Sequence, residues 1–272
     1  MNFKNIIHKI FILFLILSFL NCSSDDNTQL PEAPIFDAFP KRLQTIVENT
    51  DLGIVNDYNF SLNYDDLNRL VEIKISHNSE NFHRLDIVYE NNTIASTSLN
   101  TIDETLLEVQ YEYDAEIITQ ATFNYTDGSA GVLLFNYDET TKRYTLVEQG
   151  DNSLYLDIGL DDQNNLLNME NDGSSITYNY SDNKGFWKNI DTNIQVLILL
   201  RMLHISPHTV LCMSDANLLG TVITYPFAPA VHIFFNNYLE DDELNRPISL
   251  NAIGTDGWEY GYTMEYEMRQ IN

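Results

Sequence analysis

From about residue 41 to the end of the chain, apolar and polar residues alternate with a period of two, and the alternation is broken by short runs of Asp, Asn and Gly. Such alternation marks strands with one buried and one wet face, and the Asx-rich breaks are turn chemistry. The last stretch is the clearest. Tyr260, Tyr262, Met264, Tyr266 and Met268 share one parity, while Gly261, Thr263, Glu265, Glu267 and Arg269 share the other. A slip of one residue would expose a whole row of large side chains, at about 1.5–3 kcal/mol each, so the register of this strand is predicted to be fixed.

The breaks recur on a beat. In Leu62-Asn63-Tyr64-Asp65-Asp66-Leu67-Asn68-Arg69-Leu70-Val71-Glu72-Ile73 a strand ends in Tyr, turns through Asp and Asn, and restarts. Related units begin at Phe135-Asn136-Tyr137-Asp138, Ile158-Gly159-Leu160-Asp161-Asp162 and Tyr238-Leu239-Glu240-Asp241-Asp242, and Tyr89, Tyr113, Tyr125 and Tyr180 mark weaker ones. Anchors at 64, 89, 113, 125, 137, 160 and 180 lie 25, 24, 12, 12, 23 and 20 residues apart. Twelve residues make one strand and a tight turn; twenty-four make a hairpin. The expected fold is all-β: an antiparallel meander of about 12–14 strands, forming a curved sheet or a partly closed barrel.

Residues 191–203 interrupt the beat with a run that has no turn residue after Asn193. Asp191 suits an N-cap and Pro207 a stop, so one helical insertion is expected near 190–205, with a buried strand as the alternative.

The N-terminus follows other rules. Lys4, His8 and Lys9 precede the apolar run Ile10-Phe11-Ile12-Leu13-Phe14-Leu15-Ile16-Leu17, which is too short to span a bilayer as a helix. Residues 1–21 read as an export signal, 22–40 as a flexible linker carrying Pro31, Pro34 and Pro40, and 41–272 as a single β domain. Forty acidic residues oppose fourteen basic ones, a formal charge of −26, and removal of Lys4 and Lys9 with the signal takes it to −28. Such a surface repels phosphate, and nucleic acid is excluded as a partner. Cys212, in Val210-Leu211-Cys212-Met213, reads as a small buried hydrophobe.

Phe19-Leu20-Asn21-Cys22 is similar to a lipobox, although Phe19 and Asn21 depart from its preferred residues. The resemblance implies lipidation of Cys22. Ser23-Ser24-Asp25-Asp26 resembles the acidic export signal that follows the lipidated cysteine in surface lipoproteins of Bacteroidota. Tyr64-Asp65-Asp66-Leu67-Asn68-Arg69-Leu70 looks like the tyrosine–aspartate repeat of Rhs-type proteins. The arrangement over 41–269 is similar to Bacteroidota lipoproteins of unknown function built from such repeats. In that group an Asn-Pro-Phe-like helical insertion follows the array, and here Gly185-Phe186 stands in its place. The resemblance implies a β-meander on a lipid tether at the outer membrane, facing the cell exterior. It implies no reaction.

Candidate chemistry is sparse. Asp161-Asp162-Gln163-Asn164-Asn165 and Glu240-Asp241-Asp242-Glu243 are rich in oxygen ligands, but neither has the glycine of a calcium loop. Turn capping accounts for them, with calcium kept as a minor alternative and no cofactor expected. His204 and His208 are four apart with Pro207 between them; His77, His83 and His232 are scattered, and no zinc site is expected. There is no Gly-x-Ser-x-Gly and no Gly-rich phosphate loop. The sixteen tyrosines and two tryptophans suggest a glycan-stacking platform or, more simply, a core; the parity of the final strand, which Trp258 extends, favours the core. An outer-membrane barrel would also alternate, but strands of roughly seven to ten residues barely reach across a bilayer.

The expected function is a non-catalytic binding or assembly module for a glycan or an outer-membrane protein. The alternative is a carboxylate-dependent hydrolase, for which acids would have to converge in one pocket.

Overall fold

The computed structural model describes residues 34–271 apart from 116, 163–164, 172, 191–215, 242 and 245, and gives only the backbone of 81–82, 181–184, 216–218 and 236–238. Sixteen strands are described. They are β1 (Ile35–Asn49), β2 (Ile54–Tyr64), β3 (Leu70–His77), β4 (Glu80–Glu90), β5 (Thr93–Asn100), β6 (Thr105–Asp114), β7 (Ile117–Tyr125) and β8 (Ala130–Asp138). The second half comprises β9 (Arg143–Glu148), β10 (Leu154–Leu160), β11 (Leu166–Asn171), β12 (Ser174–Lys184), β13 (Ala216–Tyr225), β14 (Ala228–Asp241), β15 (Arg246–Gly254) and β16 (Glu259–Ile271). Each pairs with its neighbours in the chain, and β16 bonds back to β1 to close a barrel.

The antiparallel meander expected from the sequence is thus present, with more strands than the 12–14 anticipated and with full closure. Closure leaves no free sheet edge. Apart from Tyr125, at the end of β7, the Tyr–Asp beat marks turns after even-numbered strands, and turns such as Asn78–Ser79 and Pro226–Phe227 carry no such mark. Asn78–Ser79 and Asn91–Asn92 are two-residue turns with positive φ at both positions, the geometry that matches strand twist. β1 starts at Ile35, so the last six residues of the expected 22–40 linker are strand. Ala38 and Phe39 are buried there, and Pro40 precedes the β1–β2 ladder, which begins at Arg42↔Ser61 and so loses no bond to the proline. The helical insertion expected near 190–205 lies outside the described residues.

The interior is packed. Leu43, Phe60, Ile73, Leu85, Ile118, Leu146, Ile158, Tyr178 and Tyr262 belong to one buried cluster contributed by strands around the ring. A round ring of sixteen strands would enclose water, so side chains from facing walls must meet. On β16, Tyr260, Tyr262 and Met264 are buried and Tyr266 is partly so, as the parity predicts, whereas Met268 lies beyond the core with 54% exposure.

The repeat has a physical explanation. Asp65 accepts hydrogen bonds from the backbone N–H of Leu67 and Arg69, closing the turn, and its other oxygen takes the Arg69 side chain at 2.6–2.8 Å. The Arg69 guanidinium then lies 4.5 Å from the ring centre of Tyr89, whose hydroxyl donates to the carbonyl of Leu70 (2.9 Å). The same set recurs at the end of the chain. Arg246 lies over Tyr266, 5.7 Å away, and the Tyr266 hydroxyl donates to the carbonyl of Pro247 (2.6 Å). Tyr64 and Tyr180 bond Pro40 and Leu166 in the same way. Each of these four tyrosines packs its ring against the core and ties down the preceding strand with its hydroxyl.

Tyr178 and Tyr180 provide a test. Both face inward with rings stacked 6.3 Å apart, but the buried Tyr178 hydroxyl has no partner among the described residues. Tyr180→Phe should lower stability by about 1 kcal/mol, and Tyr178→Phe should leave it unchanged or raise it, as urea unfolding midpoints will show.

Candidate functional site

The acids expected to cap turns do so. Asp138 accepts from the N–H of Thr140 and Thr141, Asp161 from the N–H and side-chain amide of Asn165, and Asp241 from the N–H of Glu243 and Leu244. Hydrogen bonds from Ser129 and Ser153 hold the carboxyls of Asp127 and Asp151 below the usual range. Among the described residues, no three His, Cys, Asp or Glu side chains converge on a point that a metal could occupy. His77 stacks on Tyr58 at 4.5 Å; His83 is part-buried, which lowers its pKa; exposed His232 stacks on Phe234. They lie on β3, β4 and β14. His204, His208, Cys212, the lipidation residue Cys22 and the export signal Ser23, Ser24, Asp25 and Asp26 lie outside the described residues. Trp258 packs against the core.

One end of the barrel is filled by a segment that the sequence had marked. Phe186, Trp187 and Ile190 are buried, and Phe186 meets Trp187 edge-on at 5.5 Å and Tyr266 at 5.7 Å. Arg246, fully buried, donates to the carbonyls of Gly185 (3.4 Å) and Lys188 (3.3 Å) and to the Asp37 carboxylate (3.2 Å). Burial pushes the Asp37 carboxyl up. Hydrogen bonds from Asn189, the Ala38 N–H and Arg246 outweigh that and hold it below the ordinary value. This is a structural lock, although Trp187 Nε1 and Arg246 Nε are buried in it without a hydrogen-bond partner among the described residues.

The outer wall is different. Outward positions on β2 are Asp57, Asn59, Ser61 and Asn63, and on β6 they are Glu108, Gln110, Glu112 and Asp114. Lys74 pairs with Glu72 (3.0 Å) and Arg84 with Asp86 (2.9 Å) on the same surface. Across the seam where the chain ends meet, the character changes. Phe234 on β14 pairs with Ile253 on β15, and Ile46 on β1 approaches Gly261 on β16; all three large side chains are exposed, by 55%, 50% and 37%. Gly261, opposite Asn251, leaves a gap in the wall. The result is a trough of about 480 Å³ lined by Ile46, Glu48, Asn251, Ile253, Glu259 and Gly261. It has the size of a small-ligand site.

With this geometry in hand, the barrel can be set beside known proteins. No family model and no curated protein matches the sequence. A porin-like protein from Bacteroides uniformis shares the fold, with a TM-score of 0.50 and 15% identity over 85% of this chain and 99% of that one. A porin-like protein from Bacteroides vulgatus aligns over the same shares with a TM-score of 0.38 and 10% identity. A LolA superfamily protein from Nitrosomonas europaea aligns over 87% of each chain with a TM-score of 0.28 and 8% identity. At 15% identity the likeness to the Bacteroides uniformis protein is one of fold alone.

The direction of the side chains then decides which solvent suits the wall. A lipid-facing barrel needs an apolar outer band about 25 Å tall and a polar interior. Here leucine, isoleucine and tyrosine fill the inside, and carboxylates and amides cover most of the outside. The wall is built for water.

The sequence did not single out the trough. Its residues come from positions 46–48 and 251–261, and only the β1–β16 closure unites them. The available signal was Gly261 itself, a gap in an otherwise bulky strand.

Proposed function

We propose that this protein is a lipoprotein of the bacterial envelope, tethered to the outer membrane through Cys22 and facing the cell exterior. It acts there as a non-catalytic binding or assembly module for a glycan or protein ligand, and belongs with the tyrosine–aspartate repeat lipoproteins. The observation that carries this reading is the trough at the seam: the interior is filled, the turn acids cap their own backbones, and a gap flanked by Ile46 and Ile253 opens on the outer wall. The signal-like residues 1–21 and the acidic Ser23-Ser24-Asp25-Asp26 support the address.

Two measurements test it. In cells fed an alkyne fatty acid, wild type should take up the label and sediment with outer membranes, and Cys22→Ser should do neither; labelled Cys22→Ser would end the tether. A soluble fragment, residues 27–272, should retain a ligand in a glycan-array or pull-down screen, and Gly261→Leu should not. Retention of nothing by either protein would end the module.

The hydrolase alternative has one specific foothold, since Glu48 and Glu259 both line the trough. It requires that the fragment cleave an extracellular polymer and that Glu48→Gln or Glu259→Gln abolish cleavage.

A further inference from the structure

The trough constrains its occupant, and the inference here rests on the binding-module reading. Its walls are Ile46 and Ile253, with Phe234 directly beside Ile253, and its floor is the backbone at Gly261. Its charged groups are Glu48 and Glu259. Glu259 and Gly261 are two residues apart on β16, so their outward positions are about 6.6–6.8 Å apart. An extended peptide lying along the strand repeats its own side chains at that interval.

Charge selects among the candidates. The eight turns that follow odd-numbered strands contain no Lys or Arg, whereas Arg69 and Lys142 sit in turns at the opposite end. Arg42, four residues along β1 from Ile46, is held by Glu265 at 3.7 Å. A second copy of this chain brings a formal charge of −26 against the same glutamates. Residues 22–34 of the chain itself have no Lys or Arg, and include Asp25, Asp26 and Glu32. Neither suits the trough.

We propose that the trough receives an extended basic–apolar segment of a partner protein. A lysine or arginine sits against Glu48 and Glu259, and an apolar side chain two positions away sits over Gly261 between Ile46 and Ile253. The apolar walls exclude water from the ion pairs and strengthen them, and the pairs fix the register of the segment.

The test uses the mature chain carrying Cys22→Ser, titrated calorimetrically with the acetylated, amidated peptide Thr-Ile-Thr-Lys-Thr-Ile-Thr and with its counterpart bearing Glu in place of Lys. The lysine peptide should bind, and its Kd should rise at least tenfold in Gly261→Leu and in the double exchange Glu48→Gln with Glu259→Gln. The glutamate peptide should not bind. A Cβ at 261 meets Asn251 and Ile46 at 3.5–3.9 Å, ordinary contact distances, so Gly261→Leu fills the trough from a folded barrel; the double exchange tests the same site without adding bulk. Absence of binding by the lysine peptide, unchanged binding in either variant, or equal binding of the glutamate peptide overturns the proposal. If the lysine peptide fails while a glycan binds wild type and not Gly261→Leu, the cationic occupant is wrong and the module stands. If neither ligand class binds, the module falls as well.

Discussion

Ile87→Lys is expected to unfold the barrel, and Val88→Lys, one residue further along β4, to leave it intact. Ile87 pairs with Thr97 on the inner face and is 5% exposed; Val88 pairs with Ser96 on the outer face and is 52% exposed. A lysine at 87 would place an ammonium among aliphatic side chains with no partner, at a cost of several kcal/mol. That is a large share of the roughly 5–15 kcal/mol that holds a domain of this kind together. A lysine at 88 keeps its charge in water, on a protein with a formal charge of −26, and should change stability by less than about 0.5 kcal/mol. Urea unfolding of the two variants should therefore differ by more than about 4 kcal/mol. A lipid-facing wall would reverse the order, since an outward lysine would then cost about 2–4 kcal/mol at mid-bilayer.

The second large effect is expected at Arg246. Arg246→Met removes the donor to the carbonyls of Gly185 and Lys188 and strips Asp37 of its cation. Breaking a buried pair from one side costs about 3–5 kcal/mol, and the partial exposure of Asp37 puts this case at the lower end, about 3 kcal/mol. For a domain of this size that lowers Tm by roughly 6–12 °C. Because Trp187 packs in the same plug, its near-ultraviolet dichroism should weaken in the variant. Arg84→Met, which removes a half-exposed partner of Asp86, should cost less than about 1 kcal/mol. Equal effects at the two arginines would mean that the plug does not hold the end of the barrel.

What the sequence revealed and what it concealed divide along a physical line. Local rules were legible. The alternation in Tyr260–Met264 gave a strand and its buried face, and Tyr64-Asp65 gave a corner whose carboxylate closes its own turn. Non-local consequences were not. Nothing in residues 41–49 announces that they bond to β16, more than two hundred residues away, so closure and the trough it creates stayed hidden. Arg246 stands four residues after Asp242, as Arg69 does after Asp65, but nothing local marks it as a buried lock, because its partners Asp37, Gly185 and Lys188 come from other parts of the chain. Met268 obeyed the parity and is nonetheless exposed, since alternation reports a face and not where the core ends.

Flotation is the most direct trial of a barrel that turns its apolar residues inward and its acids outward. The mature chain with Cys22→Ser, purified without detergent, should stay at the bottom of a density gradient when mixed with phosphatidylethanolamine–phosphatidylglycerol liposomes, folded and in solution. If it rises with the vesicles, or folds only once lipid is present, the assignment of inner and outer faces is wrong.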